Sequence, residues 1–281
     1  MTTSLATAQV TDQQLSRYAD LVYSKTGIRI SPQKKALVSN RLRRRLRENG
    51  MTCFDAYFAL LKSLPANSAE WDAFLQEITT HETYMFRDPT HWKWFQESYL
   101  PGVVRGEFVV GQAKTLRIWS AACSTGEEVY TIACCIADCS ALSNWTVQIL
   151  GTDIGVGALK HAQEAVYGER AVHLVPDSFR KRFFLANTKA NTWTVRPQLT
   201  AMAQFRQHNL LEPMQSGPFD IVLLKNVLIY FDTDSKQIVM KQLKNAIRPG
   251  GLLLNGPAEG VSGLLGGWKR LQPWLHANVT P

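Results

Sequence analysis

The chain has 281 residues, a hydrophobic fraction of 45% and a net charge of +8, which suits one large domain or a medium domain with a small companion. It contains no apolar run of the roughly 18 residues that a membrane span requires, and its N-terminus, "MTTSLATAQVTDQQ", has no basic flank before an apolar core, so it reads as a short loose tail rather than a secretory signal. The five cysteines are odd in number and three of them crowd one predicted helix, which argues against a disulfide framework and points to a reducing cytoplasm.

Helices are predicted over 12–25, 33–48, 53–63 and 69–80, broken at Asn49-Gly50 and at Pro65-Ala66-Asn67. In the second, Val38, Leu42 and Leu46 recur every four residues as a buried stripe, with Arg41, Arg44 and Arg45 placed off it and Arg43 and Arg47 flanking it. From Leu21 to Arg47 there are nine Lys or Arg and no acid, so residues 1–80 read as a small helical domain with a basic side, suited to an acidic partner. Strands are then predicted at 115–120, 147–152, 203–207, 220–225 and 251–255, with helices at 126–139, 156–164 and 233–246 and a "RPGG" turn at 248–251. Strands with helical crossovers imply a parallel sheet covered on both faces. The segment 185–200 breaks the alternation and reads as a small hairpin projecting from the sheet.

The stretch "RIWSAACSTGEEVYTIA" (117–133) is a strand, a small-residue turn and a helix, but Gly126 is its only glycine, so it is neither a GxGxxG fingerprint nor a P-loop. Glu127 and Glu128 oppose a phosphate at the helix start, although first-turn acids also complement the helix dipole. Asp153 ends the second strand 27 residues after Gly126, where an acid accepts hydrogen bonds from a ribose diol. A ligand with a ribose, no phosphate and positive charge fits, and S-adenosylmethionine has those properties. No CxxC pair and no HxxxH or HExxH spacing occurs, so no metal is expected.

Several segments together resemble one family, the bacterial chemotaxis-receptor glutamate O-methyltransferases, or CheR family: "NRLRRRLRENG" at 40–50, "TTHETYMFRD" at 79–88, "WSAACSTGEEVYTIA" at 119–133, "GTDI" at 151–154, "HNLLE" at 208–212, "KNVLIYFD" at 225–232 and "RPGGLL" at 248–253. The resemblance covers nearly the whole chain. It implies a small all-helical N-terminal domain (1–80, with the basic helix 33–48), a linker (81–90) contributing to the cofactor site, and a Rossmann-like class I methyltransferase domain (91–281) with a mostly parallel sheet and a small inserted β-subdomain, for which 185–200 is the candidate. By position it implies cofactor contacts at His81, Thr83, Arg87, Glu128, Asp153, Asn209, Leu210, Lys225 and Asn226, with Arg87 and Tyr230 nearest the transferring methyl. It further implies an enzyme acting on glutamates of the cytoplasmic methylation helices of chemoreceptors, with a receptor C-terminal peptide as a further partner; a monomer is the default expectation. The chain departs from the family pattern at His81 (usually Asn), at Lys225 (usually Arg) and at "GPAE" (256–259, usually "GHSE").

A glutamate acceptor, with a pKa of about 4.3, is already ionised at neutral pH, so no general base is required and no Ser-His-Asp or Cys-His constellation is expected. Arg41, Arg44, Arg45 and Arg47 are the candidate docking residues for an acidic receptor. Two competing readings carry distinct signatures. A nucleic-acid methyltransferase would show salt-sensitive binding to RNA or DNA, but the sequence has no "NPPY"-like run. A non-catalytic adaptor of the same fold would fail to bind the cofactor, and the three departures motivate it.

Overall fold

The computed structural model describes residues 7–65 and 68–279. The opening residues of the expected tail and Ala66-Asn67 of the expected helix break lie outside the described residues. The chain is anchored earlier than expected: Val10 is buried, with its N–H donating to Ser39 Oγ at 3.1 Å, so the loose tail does not extend to Gln14. Helix α1 (Asp12–Thr26) opens on a capping box between Thr11 and Gln14. It stops at Gly27, whose φ of 73° is left-handed and which therefore closes the helix without a Cβ penalty. A 3₁₀ turn (Pro32–Lys34) leads into α2 (Lys35–Glu48), followed by α3 (Phe54–Ser63) and α4 (Ala69–Ile78). Their apolar stripes, including Val22, Leu42, Leu61 and Phe74, meet in a core separate from those of the sheet.

Two helical pieces, α5 (Pro89–Trp94) and α6 (Leu100–Arg105), are joined by a π turn over Phe95–Tyr99. No element is predicted there, yet buried Trp92, Phe95, Tyr99 and Val103 recur at helical spacing. The remaining elements are β1 (Thr115–Ala121), α7 (Glu127–Asp138), β2 (Thr146–Asp153), α8 (Val156–Glu164), β3 (Val166–Gly168), α9 (Glu169–Val172), α10 (Asp177–Phe183), β4 (Phe184–Asn187), β5 (Thr192–Val195), α11 (Pro197–Thr200), β6 (Ala203–Gln207), β7 (Phe219–Leu224), α12 (Thr233–Ala246), β8 (Ile247–Asn255), β9 (Trp268–Gln272) and β10 (Leu275–Asn278).

The main sheet runs β6-β2-β1-β7-β8-β10-β9. Its first five strands are parallel, and β10 is antiparallel to both neighbours. Every residue of β7 is buried, as both-sided coverage of a parallel sheet requires. One face packs α5, α6 and α7 around Leu116, Ile118 and Ile221; the other packs α12 against Trp119, Val222 and Leu253. A second sheet is ordered β3-β5-β4; residues 184–195 supply its hairpin, its third strand comes from 166–168, and its Tyr167, Phe184 and Val195 join the core on the α7 side of the main sheet. The expected "RPGG" turn is corrected. Strand β8 begins at Ile247 opposite Phe219, and the register then jumps so that Ile221 faces Leu252. Residues 248–251 are thus an irregularity within the strand. The β9–β10 hairpin escapes the sequence reading because its short segments carry Lys269, Arg270 and Asn278 in place of an apolar run.

Candidate functional site

The order of strands reverses between β1 and β7, since β2 and β6 lie on one side and β8 on the other. In an open α/β sheet the ligand crevice forms at such a point, beyond the carboxyl ends of the strands. The chain leaving β1 (Ala122 to Ser124), β2 (Asp153, Ile154), β6 (His208 to Leu210) and β7 (Lys225 to Val227) lines one cleft there. The cleft is open to solvent and mixes apolar with polar side chains along its walls, the composition of a small-molecule site.

After β1 the backbone turns sharply, with Ala122, Ser124 and Gly126 all at positive φ. Gly126 has φ 91° and a Cβ there would stand 2.7 Å from that of Ala162, so both the turn and the approach of α8 need glycine. The amides of this turn are spent internally. Cys123 N–H donates to Thr152 O (2.8 Å), Ser124 N–H to Asp153 Oδ2 (2.9 Å) and Gly126 N–H to Cys123 O (3.0 Å). Those three amides therefore cannot cradle a pyrophosphate. Asp153 also accepts from Gly155 N–H at 2.9 Å through Oδ1, which fixes its carboxylate at the cleft wall.

The two glutamates after the turn diverge. Glu127 is buried beneath the turn, accepting from Thr125 Oγ1 at 2.6 Å, and burial pushes its carboxyl pKa up. It does not line the cleft. Glu128 does. Its Oε1 accepts from Ser120 Oγ (2.7 Å) and its Oε2 lies 3.5 Å from Lys225 Nζ. Lys225 also donates to Arg87 O (3.0 Å), lies 3.1 Å from Asp88 Oδ2 and sits 5.0 Å from the Trp92 ring centre. With its side chain only 4% exposed, this ammonium ties the end of β7 to the 86–88 stretch, where Phe86 and Asp88 hold positive φ.

The opposite wall comes from the helical domain and the linker, with Ile28, Val38 and Arg41 facing His81, Thr83 and Tyr84. Burial lowers the pKa of His81, whose Nε2 is 2.7 Å from Thr79 Oγ1, and favours its neutral form. Asn209 Nδ2 donates to Lys25 O at 2.8 Å, so this side chain joins the two domains. Tyr230 lines the cleft with Lys34 Nζ 5.2 Å from its ring centre.

His81, Thr83, Arg87, Glu128, Asp153, Asn209, Leu210, Lys225, Asn226 and Tyr230 thus come together in one cleft. Of the candidate docking residues, Arg41 lines the same cleft, while Arg44 and Arg47 are exposed on α2. Arg45 is corrected. It lies seven residues, about two turns, after Val38 and so falls on the buried face. Its Nε and Nη2 reach Glu70 at 3.1 and 2.5 Å, Nη1 reaches Glu48, and Tyr57 shares Glu70. Burial opposes its charge, but these partners outweigh it and the guanidinium pKa is raised. The basic run is also partly neutralised by acids from elsewhere: Arg29 pairs Asp232, Lys35 pairs Asp12 and Arg44 pairs Glu77.

Glu259 was missed. Fully buried, it accepts the backbone amides of Asn226 and of Leu228 (2.7 Å) and so shapes the chain after β7. The only signal was an acid inside an otherwise apolar "NGPAEGV" stretch. In "GPAE" the glutamate therefore retains a structural task.

Residues 81–272 match the model of the CheR methyltransferase SAM binding domain, and residues 13–79 match that of the CheR methyltransferase all-alpha domain. Among curated proteins, the chain is 33% identical over 260 residues to the chemotaxis protein methyltransferase of Escherichia coli, covering 91% of this chain and 87% of that one. It is 33% identical over 257 residues to the chemotaxis protein methyltransferase of Klebsiella aerogenes, covering 90% and 85%. To chemotaxis protein methyltransferase 2 of Pseudomonas aeruginosa it is 34% identical over 253 residues, covering 89% and 87%.

Proposed function

The chain belongs to the CheR methyltransferase family, and on that premise we propose that it methylates glutamate side chains on the cytoplasmic helices of chemoreceptors. It is an S-adenosylmethionine-dependent methyltransferase. The observation that carries the reading is the convergence of the ten residues that the resemblance implies, from His81 to Tyr230, on one cleft whose turn spends three of its amides internally and presents Asp153 and Glu128. That composition suits a ligand with a ribose and a cationic end and no phosphate.

In this reading Asp153 takes the ribose hydroxyls, and Glu128 faces the cationic end of the cofactor together with His81, Thr83, Asn209, Leu210, Lys225 and Asn226. The bound cofactor supplies a methyl group activated on a sulfonium. The acceptor glutamate is ionised without help, so the protein's work is orientation and exclusion of water. Arg87, whose Nη1 donates to Glu82 O at 3.3 Å and whose guanidinium lies 5.7 Å from the Tyr84 ring centre, orients the acceptor carboxylate, and Tyr230 stands beside the transferring methyl. Arg41, Arg44 and Arg47 steer the acidic helices to the cleft. The exposed edge strand β4, with Leu185 at 46% exposure, offers a receptor C-terminal peptide a strand to pair with. The enzyme acts in the cytoplasm as a monomer; among the described residues no helix is long and apolar enough to cross a membrane.

The test is incubation with labelled S-adenosylmethionine and membranes carrying chemoreceptors, followed by mild base. Release of the transferred methyl as volatile methanol is expected of a carboxylate ester. Label that stays on the protein, or that appears on added nucleic acid, refutes the acceptor.

A further inference from the structure

We propose that the side chain of Arg29, in the segment between α1 and α2 of the helical domain, is a positioning group for methyl transfer that acts through Asp232 on the stretch that carries Tyr230. The inference rests on the reading that Tyr230 stands beside the methyl. The chain from Asn226 to Asp232 bridges the end of β7 and the start of α12. At its β7 end it is held from within its own domain, by Glu259 on the amides of Asn226 and Leu228. At its α12 end the holding groups come from the helical domain. Arg29 N–H donates to Tyr230 O at 2.8 Å, and Ile28 pairs antiparallel with Phe231.

Asp232 divides its carboxylate between two tasks. Oδ1 accepts from Ser235 N–H at 2.9 Å and caps α12. Oδ2 accepts from Arg29 Nε (2.9 Å), Arg29 Nη2 (2.8 Å) and Tyr23 Oη (2.8 Å). The Arg29 guanidinium also lies 4.1 Å over the Tyr23 ring. The Ser235 amide, with the Arg29 and Tyr23 side chains, holds the Asp232 carboxyl well below the usual carboxylate range, so the clamp stays charged at every working pH. Arg29 is 61% exposed in its side chain, and an exposed pair contributes little to stability. The clamp's effect is therefore on geometry, fixing where Tyr230 stands when the helical domain is seated.

The test is a double-mutant cycle of Arg29→Ala and Tyr230→Phe in the full chain, read by methyl transfer to receptor-bearing membranes and by calorimetric titration with S-adenosylhomocysteine. Arg29→Ala is expected to lower kcat about tenfold, a coupling typical of contacting residues, while the Kd of the product stays within about threefold. In the Tyr230→Phe background the same change is expected to cost less than about twofold. Arg29→Lys, which can still reach Asp232, is expected to recover part of the rate, and amide hydrogen exchange at 228–232 is expected to quicken in Arg29→Ala alone. Multiplicative losses in the double variant overturn the inference, as does product binding that falls in step with kcat. If Tyr230→Phe alone has full kcat, the role assigned to Tyr230 fails, and this inference with it; if Tyr230→Phe is slow and the losses multiply, only the inference fails.

Discussion

Replacing Asp153 with alanine removes a carboxylate that is 7% exposed and accepts two backbone amides at 2.9 Å, Ser124 through Oδ2 and Gly155 through Oδ1. The two amides are left without acceptors at the cleft wall, at a cost of about 1–3 kcal/mol each. Water entering from the cleft offsets part of that, so about 2–3 kcal/mol of stability is lost, or roughly 4–12 °C in Tm for a chain of this size. The ligand loses charge-assisted hydrogen bonds to its ribose, each contributing about 1.5–3 kcal/mol. Two such bonds correspond to a rise in Kd of roughly two to four orders of magnitude. The assay is calorimetric titration with S-adenosylhomocysteine, alongside thermal unfolding to confirm that the variant is folded. Asp153→Asn keeps one acceptor oxygen and the side-chain volume, and an intermediate Kd is expected. A folded Asp153→Ala variant with Kd within threefold of wild type would refute the placement of the ribose here.

Glu70→Leu leaves Arg45 charged and buried beside Tyr57, with the exposed Glu48 as its remaining acid partner, and breaking such a pair costs about 3–5 kcal/mol; urea unfolding that shows under 1 kcal/mol would contradict the network. Arg44→Glu with Arg47→Glu breaks the Arg44–Glu77 pair and is expected to cost about 1 kcal/mol of urea stability yet slow receptor methylation at low salt, with the difference narrowing as salt rises; unchanged methylation at low salt removes α2 from the docking surface. His91 is buried against Trp274, with desolvation and nearby Lys225 pushing its pKa down to about 4. Because the folded pKa lies below the unfolded one, stability is full above about pH 6.5 and is lost as pH falls toward 4, by about 3 kcal/mol in total. His91→Phe is expected to lose less than wild type over that range in parallel urea titrations; equal slopes would show that His91 is not the titrating group.

The sequence by itself determined the alternation of strands and helices, because a buried parallel strand such as "DIVLL" and a helix with Val38, Leu42 and Leu46 each carry their burial in their own periodicity. It placed Asp153 and the turn after β1 at the cleft, since topology sends the chain after every parallel strand to the same edge of the sheet, while His81, Thr83, Arg87 and the other cleft residues came from the family resemblance. It did not determine which charges are free. Arg45 reads as surface until Glu70 and Tyr57 arrive from other helices, and Glu127 and Glu128 are adjacent in the chain yet one is buried and the other faces the cleft, a hundred degrees apart on a helix. The same limit hid Glu259 and the contacts of Asp232 with Arg29 and Tyr23, which are hydrogen bonds to groups distant in sequence. Periodicity is a property of neighbours along the chain; charge neutralisation and loop shape depend on partners that only the folded chain brings within 3 Å, so those were decided by the tertiary structure.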